Sequence, residues 1–215
     1  PQIIEAIRDI PTVCKYLDMA IEHADDEVLA RMNRGTTQDR IRQRVTALRR
    51  EIPGIALRTA VIVGFPGETQ RAFETLLAFL QDMRFERLGA FRYSHEEGSA
   101  AFRYPDQVPE AVKAHRYDQL MEVQQRIAED LNRQWLGRTC EVMIDEPDPN
   151  DPTEILGRTT PDCPEVDGLV YVNSTTPLVP GQIVPVTITD TYEYDLVAEA
   201  NTSLPISDFP LPTLT

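Results

Sequence analysis

Gly64, Pro66 and Gly67 interrupt an apolar run in the stretch TAVIVGFPGETQRAFETLLAFL, Thr59 to Leu80, and a helical pattern opens directly behind them. Ala60-Val61-Ile62-Val63 is rich in β-branched residues and reads as a strand buried on both faces. Thr69 is placed to cap the next helix, in which Phe73, Leu76, Leu77 and Leu80 recur at helical spacing. That order puts Gly64, Phe65, Pro66 and Gly67 at the carboxyl end of a strand, where parallel α/β proteins bind ligands. A βα loop that needs glycine only for its own backbone satisfies the same pattern. Other groups capable of chemistry are few. Cys14, Cys140 and Cys163 are far apart and odd in number, which implies no disulfide framework and fits a reducing cytoplasm. His95 and His115 read as surface residues.

The elements that must position this turn divide the chain into parts. Residues 1–105 alternate helices and strands in the order α–β–α–α–β–α–β, which predicts parallel strands. IIEAIRDI is a short helix and CKYLDMAIE a strand; DDEVLARMNRG is a helix capped by Asp25 or Asp26 and closed by Gly35. The next helix turns Ile41, Val45 and Leu48 to one face, and RLGAFRYS is the last strand. Three parallel strands with helices on one side leave an apolar face and a bare edge, as if cut from a larger sheet or barrel. Residues 106–137 hold one helix of roughly 27 residues from Pro109 to a stop at Gly137. Leu120, Val123, Ile127 and Leu131 mark its apolar stripe, and it reads as a spacer without chemistry. Residues 138–200 hold five short alternating segments, the pattern of a small antiparallel barrel of the oligonucleotide-binding kind. The tail, 201–215, is rich in proline, serine and threonine and reads as irregular.

Charge separates the parts further. The 215 residues carry a formal net charge of −14, which argues against broad nucleic-acid binding. Between Gly137 and Ala200 thirteen carboxylates face only Arg138 and Arg158. An acidic barrel is a poor RNA platform, even with Tyr171, Tyr192 and Tyr194, and a better dock for a basic protein. A solvated acidic face with no partner is the alternative. No apolar run reaches the ~18 residues of a membrane span, and the first residues have no basic-then-apolar leader pattern, so no membrane association is expected.

Four stretches carry a family resemblance: VCKYLDMAIEHADDEVLARMNRG, AVIVGFPGETQRAF, FRYSHEEGSAA and PDQVPEAVKAHR. Together they resemble the methylthiotransferases, radical S-adenosylmethionine enzymes of three domains. The acidic segment resembles their C-terminal TRAM domain, and KYLDM…EHADDEVL with PEVDGLVYVN resembles the RimO branch. The resemblance covers about 200 residues. It implies the C-terminal half of a partial (β/α) radical SAM barrel, joined by a long helix to a small all-β TRAM barrel. It also implies a reaction: methylthiolation of an aspartate in a small-subunit ribosomal protein, using S-adenosylmethionine and two [4Fe–4S] clusters. On this resemblance Gly64 and Gly67 let the backbone approach the adenosyl group, and Phe65 with Pro66 offers it an apolar face. Glu22 and His23 end the earlier strand, against the ribose or methionine part of the cofactor. Arg31 pairs with the methionine carboxylate, or is a surface arginine.

Two departures stand against the family pattern. Ala20-Ile21-Glu22 replaces Pro-Leu-Gln, exchanging an amide for a carboxylate that only accepts hydrogen bonds. The Cys-x-x-x-Cys-x-x-Cys of the cluster does not occur, and the three scattered cysteines read as buried structural thiols. The cluster ligands are therefore expected outside this chain, which by itself is expected to be inactive. A MiaB-type tRNA methylthiotransferase, or a truncated non-catalytic binding module, are the competing expectations.

Overall fold

Ala56–Val63 forms the central strand (β2) of a three-stranded parallel sheet whose order is β1-β2-β3, with β1 at Tyr16–Asp18 and β3 at Arg87–Arg92. The computed structural model describes residues 2–149, 151 and 154–201; the expected irregular tail lies outside them from residue 202 onward. The chain divides into two units between Ile127 and Ala128.

In the first unit the helices are α1 (Gln2–Asp9), α2 (Asp26–Arg31), α3 (Gln38–Glu51), α4 (Gln70–Met83) and the greater part of α5 (Glu110–Asn132). Thr69 caps α4 by accepting the Ala72 N–H at 3.1 Å, and Asp25 caps α2 by accepting those of Glu27 and Val28. Asp26 instead accepts the Gln38 N–H at 2.7 Å, tying α2 to the start of α3. Leu57, Val61 and Val63 of β2 share one core with Ile41, Val45 and Leu48 of α3 and Phe73, Leu76 and Leu80 of α4.

Several sequence expectations are corrected by these elements. β2 is not buried on both faces: Leu57, Thr59, Val61 and Val63 are buried while Arg58, Ala60 and Ile62 are half-exposed. The sheet is thus covered on the row that faces α3 and α4, and Phe91 of β3 is 56% exposed. β1 is shorter than CKYLDMAIE; past Met19 the ladder lapses, then resumes as one bridge between Glu22 and Val61. α2 stops at Arg31, before Gly35, because Asn33 takes the left-handed conformation at φ 57°. α5 has 23 residues, followed by a 3-10 turn at Arg133–Trp135. Its buried face is Lys113, Arg116, Leu120, Gln124 and Ile127, whereas Val123 and Leu131 are partly exposed. A helix that buries two cations is part of the packed structure rather than a free spacer.

The second unit is a closed barrel of β4 (Thr139–Pro147), β5 (Ile155–Thr159), β6 (Val170–Asn173), β7 (Ile183–Thr191) and β8 (Leu196–Ala200), in the order β4-β5-β6-β8-β7. β7 closes it on β4, and all pairings are antiparallel except β6 with β8, which run parallel. Val142, Ile144, Val170, Val172, Val184, Val186, Ile188, Leu196 and Ala198 fill its interior at the two-residue period of strands. Closure leaves no bare edge among these five strands.

Candidate cofactor-facing turn and acidic barrel

Val63 ends β2, and Gly64 turns the chain at φ 75°. A residue with a side chain meets two obstacles there: the left-handed backbone, and a Cβ that would lie 2.3 Å from Lys113 Cγ. Gly67 repeats the situation at φ 85°, with a hypothetical Cβ 2.5 Å from Arg31 Cζ. Both glycines do permit close approach, but the approaching groups are side chains of this chain. Arg31 lies across the turn, its Nε donating to the Pro66 carbonyl at 3.0 Å and its guanidinium 5.2 Å from the Tyr104 ring centre. The Gly67 N–H donates to the Asp106 carbonyl at 2.8 Å, and the Asp106 carboxylate stands 3.5 Å from Arg31 Nη2. The Phe65 ring is enclosed, edge-on to Tyr93 at 5.3 Å and to Tyr104 at 6.2 Å, and is 7% exposed. It anchors the turn and offers no open apolar face.

Beneath the turn sits a buried polar group centred on Glu68. Its Oε2 accepts the Gly64 N–H at 2.6 Å, and its Oε1 accepts from Arg116 Nη1 at 2.9 Å. Arg116 Nη1 also donates to the Glu68 carbonyl at 3.1 Å. His23 is fully buried; its Nδ1 accepts the Asp25 N–H at 2.9 Å, which leaves the proton of the neutral ring on Nε2. That Nε2 is 3.7 Å from Glu68 Oε2, beyond hydrogen-bonding distance, and has no partner among the described residues. Lys113, one turn before Arg116, donates to the Tyr93 carbonyl at 2.9 Å. Glu22 sits beside His23 at φ 67°, unusual for a residue other than glycine. Both its backbone groups are held by β2, its N–H on the Ala60 carbonyl and its carbonyl on the Ile62 N–H. Its carboxylate lies 3.6 Å from Arg34.

The structure therefore brings Gly64, Glu68 and His23 together, with Arg31 bracing the opposite side of the turn and Glu22 one residue away. Glu68, Lys113 and Arg116 are functional candidates that the sequence pattern alone does not mark. Their signal is the spacing of Lys113, Arg116 and Leu120 on one helix face, with an acid in the turn to receive them.

The residues of this chain do not fit an iron–sulfur cluster. Cys14 is exposed, not a buried thiol, and Cys140 and Cys163 are half-buried. Burial, with Asp162 and Glu141 nearby, pushes the Cys140 thiol up to about 11, so it stays protonated at neutral pH. Among the described residues no three His, Cys, Asp or Glu side chains meet as metal ligands. Adenosylmethionine is a different case, since the segment past β1 and the carboxyl half of β2 present the Glu22 carboxylate and the half-exposed Ala60 and Ile62. His23 Nε2, a buried donor without a partner among the described residues, faces Glu68 at 3.7 Å instead.

In the barrel, the carboxylates divide by role. Asp162 accepts the Thr159 N–H at 3.2 Å, Asp167 that of Cys163 at 2.9 Å and Asp195 that of Leu169 at 2.8 Å, so these three hold turns. Glu141, Glu146, Asp151, Glu165, Asp190, Glu193 and Glu199 are exposed. Arg158 is paired with Asp145 within the barrel. Tyr171 and Tyr192 meet edge-to-face at 6.2 Å, and Tyr192 is 58% exposed. Burial, then Asp195, Asp148 and Glu154, raise the Tyr171 hydroxyl above its ordinary value.

Residues 1–80 match the Radical SAM superfamily, and residues 136–200 match the TRAM domain. Ribosomal protein uS12 methylthiotransferase RimO of Geobacter sulfurreducens is 46% identical over 199 residues, which is 92% of this chain and 44% of that protein. The RimO of Syntrophotalea carbinolica is 46% identical over 92% of this chain and 43% of its own length. That of Anaeromyxobacter is 47% identical over 91% and 41%. The chain thus spans less than half the length of these relatives. Along nine tenths of its length it is similar to these RimO proteins, and it carries a segment matching the Radical SAM superfamily and a TRAM domain.

Proposed function

We propose that the protein containing this chain methylthiolates an aspartate of a basic small-subunit ribosomal protein, the uS12 named for its relatives. The observation that carries this reading is the identity of 46% along 92% of the chain, spanning both the radical SAM and the TRAM segments. S-adenosylmethionine and two [4Fe–4S] clusters are the proposed cofactors. Together they supply the radical and sulfur-transfer chemistry, with cluster ligands from outside these residues. A cytoplasmic activity is part of this proposal, since its proposed substrate is a ribosomal protein.

The parts of this chain then divide the labour. Glu22, as an acceptor four residues past β1 and bridged to β2, suits the two hydroxyls of the cofactor's ribose. His23 lies buried beneath the same segment, its Nδ1 held by the Asp25 N–H. Gly64, Phe65, Pro66 and Gly67 form a rigid wall for the adenosyl part through their backbone. Arg31 holds that wall by its bond to Pro66 and by stacking on Tyr104, in place of the carboxylate contact the family resemblance implied. The exposed carboxylates of the barrel recruit the lysine- and arginine-rich substrate, and their sign opposes nucleic acid.

Competition between the two substrate classes tests this reading. The full chain is immobilised at about 0.15 M salt, near the 8 Å Debye length, and offered the small-subunit ribosomal protein and tRNA together. Retention of the protein alone supports the proposal, retention of tRNA alone favours the tRNA-modifying branch, and retention of neither removes the docking role of the barrel.

A further inference from the structure

We propose that Arg116 of α5 is a positioning residue for the cofactor-facing turn, acting through Glu68. The inference rests on the reading of that turn as part of the S-adenosylmethionine site. One carboxylate joins three separate pieces of chain at this point. Glu68 fixes the Gly64 N–H through Oε2 at 2.6 Å, receives Arg116 through Oε1 at 2.9 Å, and faces the His23 ring at 3.7 Å. The Glu68 side chain is wholly shielded from water and that of Arg116 is 6% exposed, so neither charge has bulk solvent as an alternative partner.

Geometry makes Arg116 the member that sets the position of the others. The planar guanidinium donates to both the Glu68 carboxylate and the Glu68 carbonyl, which fixes this residue at its side chain and at its backbone. Its position is set in turn by α5, where Arg116 lies 5.5 Å from the Phe73 ring centre and shares the buried face with Lys113 and Leu120. Lys113 fills the space that a Cβ at Gly64 would take. α5 therefore reaches the turn at two points, one ionic and one steric. A carboxylate oriented from two sides holds the Gly64 amide at one angle, whereas an unpaired one is free to rotate about χ3.

The test uses the full-length protein carrying Arg116→Met, which keeps the volume of the side chain and removes its donors. Affinity for S-adenosylmethionine is measured by equilibrium dialysis, and exchange of the Gly64 amide by NMR on the 215-residue chain. The expected result is a tenfold or greater loss of affinity. Gly64 exchange should also be at least tenfold faster, while Val45 in α3 exchanges within twofold of the unmodified rate. Arg116→Lys, which retains the charge and one donor, should recover the larger part of both. Unchanged affinity with a lowered melting temperature alone would mean a purely structural ion pair and overturn the proposal. Should R116M not fold, Arg116→Gln, which keeps a donor but removes the charge and the fork, carries the test, and affinity and Gly64 exchange both within twofold of the unmodified protein overturn the proposal. An unmodified protein that does not bind S-adenosylmethionine overturns the functional reading and this inference together. Binding by the unmodified protein that R116M leaves intact overturns this inference alone.

Discussion

The Gly64 N–H and the Glu68 carboxylate, four residues apart, close a ring at 2.6 Å that no water reaches. This bond satisfies the first amide after β2, which would otherwise be a buried donor without a partner. It also places a negative charge where Arg116 can meet it. Glu68→Gln should therefore cost more than one hydrogen bond, because it strands a buried guanidinium. The expected loss is on the order of 3 kcal/mol, the scale for breaking a buried pair from one side. Urea unfolding followed by a probe in the first unit measures it. A loss below about 1 kcal/mol, the worth of an exposed pair, would show that water reaches Arg116.

Glycine at position 64 answers two demands that can be separated experimentally. Gly54 has a similar φ of 80° but open space around its missing Cβ, whereas Gly64 has φ 75° and Lys113 in the way. Gly54→Ala should cost roughly 1–2 kcal/mol, for left-handed backbone alone. Gly64→Ala should cost that and the displacement of Lys113 from the Tyr93 carbonyl, about 1.5–3 kcal/mol more for a lost hydrogen bond to a charged group. Equal midpoints in parallel denaturation curves would mean that Lys113 moves aside freely.

Much of this architecture was legible in local chemistry. Thr69 lies just before a helical apolar pattern and caps α4 as expected, and the five alternating segments after residue 138 became five strands of a closed barrel. What stayed hidden did so because the pattern is read by polarity. On α5 the buried positions 113, 116, 120, 124 and 127 keep helical spacing, but two are cations and one is an amide. Val123 and Leu131 took their place in the expected stripe. Phe65 shows the opposite failure: an aromatic beside two glycines suggested an open platform, and Tyr93 and Tyr104 cover it from regions 28 and 39 residues further along. The glycines marked a close approach correctly, while the identity of the approaching group was a matter of tertiary structure.

Cys140 and Cys14 should differ sharply in reactivity. Burial raises the Cys140 thiol from its ordinary 9.0 to about 11, and thiolate is the species that alkylates. Cys14 is exposed. Iodoacetamide at pH 8 should label Cys14 first, with Cys140 following only as pH approaches 11 or in denaturant. The linkage has a definite sign. A thiol that holds its proton more tightly when folded contributes stability that is present below pH 9 and is lost as pH rises through 11. Mass spectrometry of a timed labelling series, with melting curves at pH 8 and 10.5, checks both. Early labelling of Cys140 at pH 8 would contradict its burial.

The two classes of barrel carboxylate should respond oppositely to substitution. Asp195 accepts the Leu169 N–H at 2.8 Å and holds the entry to β6, so Asp195→Asn should destabilise the barrel by about 1–2 kcal/mol, as a weakened charge-assisted bond does. Glu193 and Glu199 are exposed, and replacing both by lysine should change stability by no more than about 0.5 kcal/mol, the usual range for surface sites. That same pair reverses four units of charge on the barrel. Affinity for the basic ribosomal protein should then fall roughly tenfold at 50 mM salt and by less at 200 mM, because exposed charges are screened beyond a Debye length of about 10 Å. Fluorescence titration at both salt concentrations reads the difference. An affinity unmoved by the double reversal would assign docking to another surface and leave the barrel's acidity as a solvated exterior.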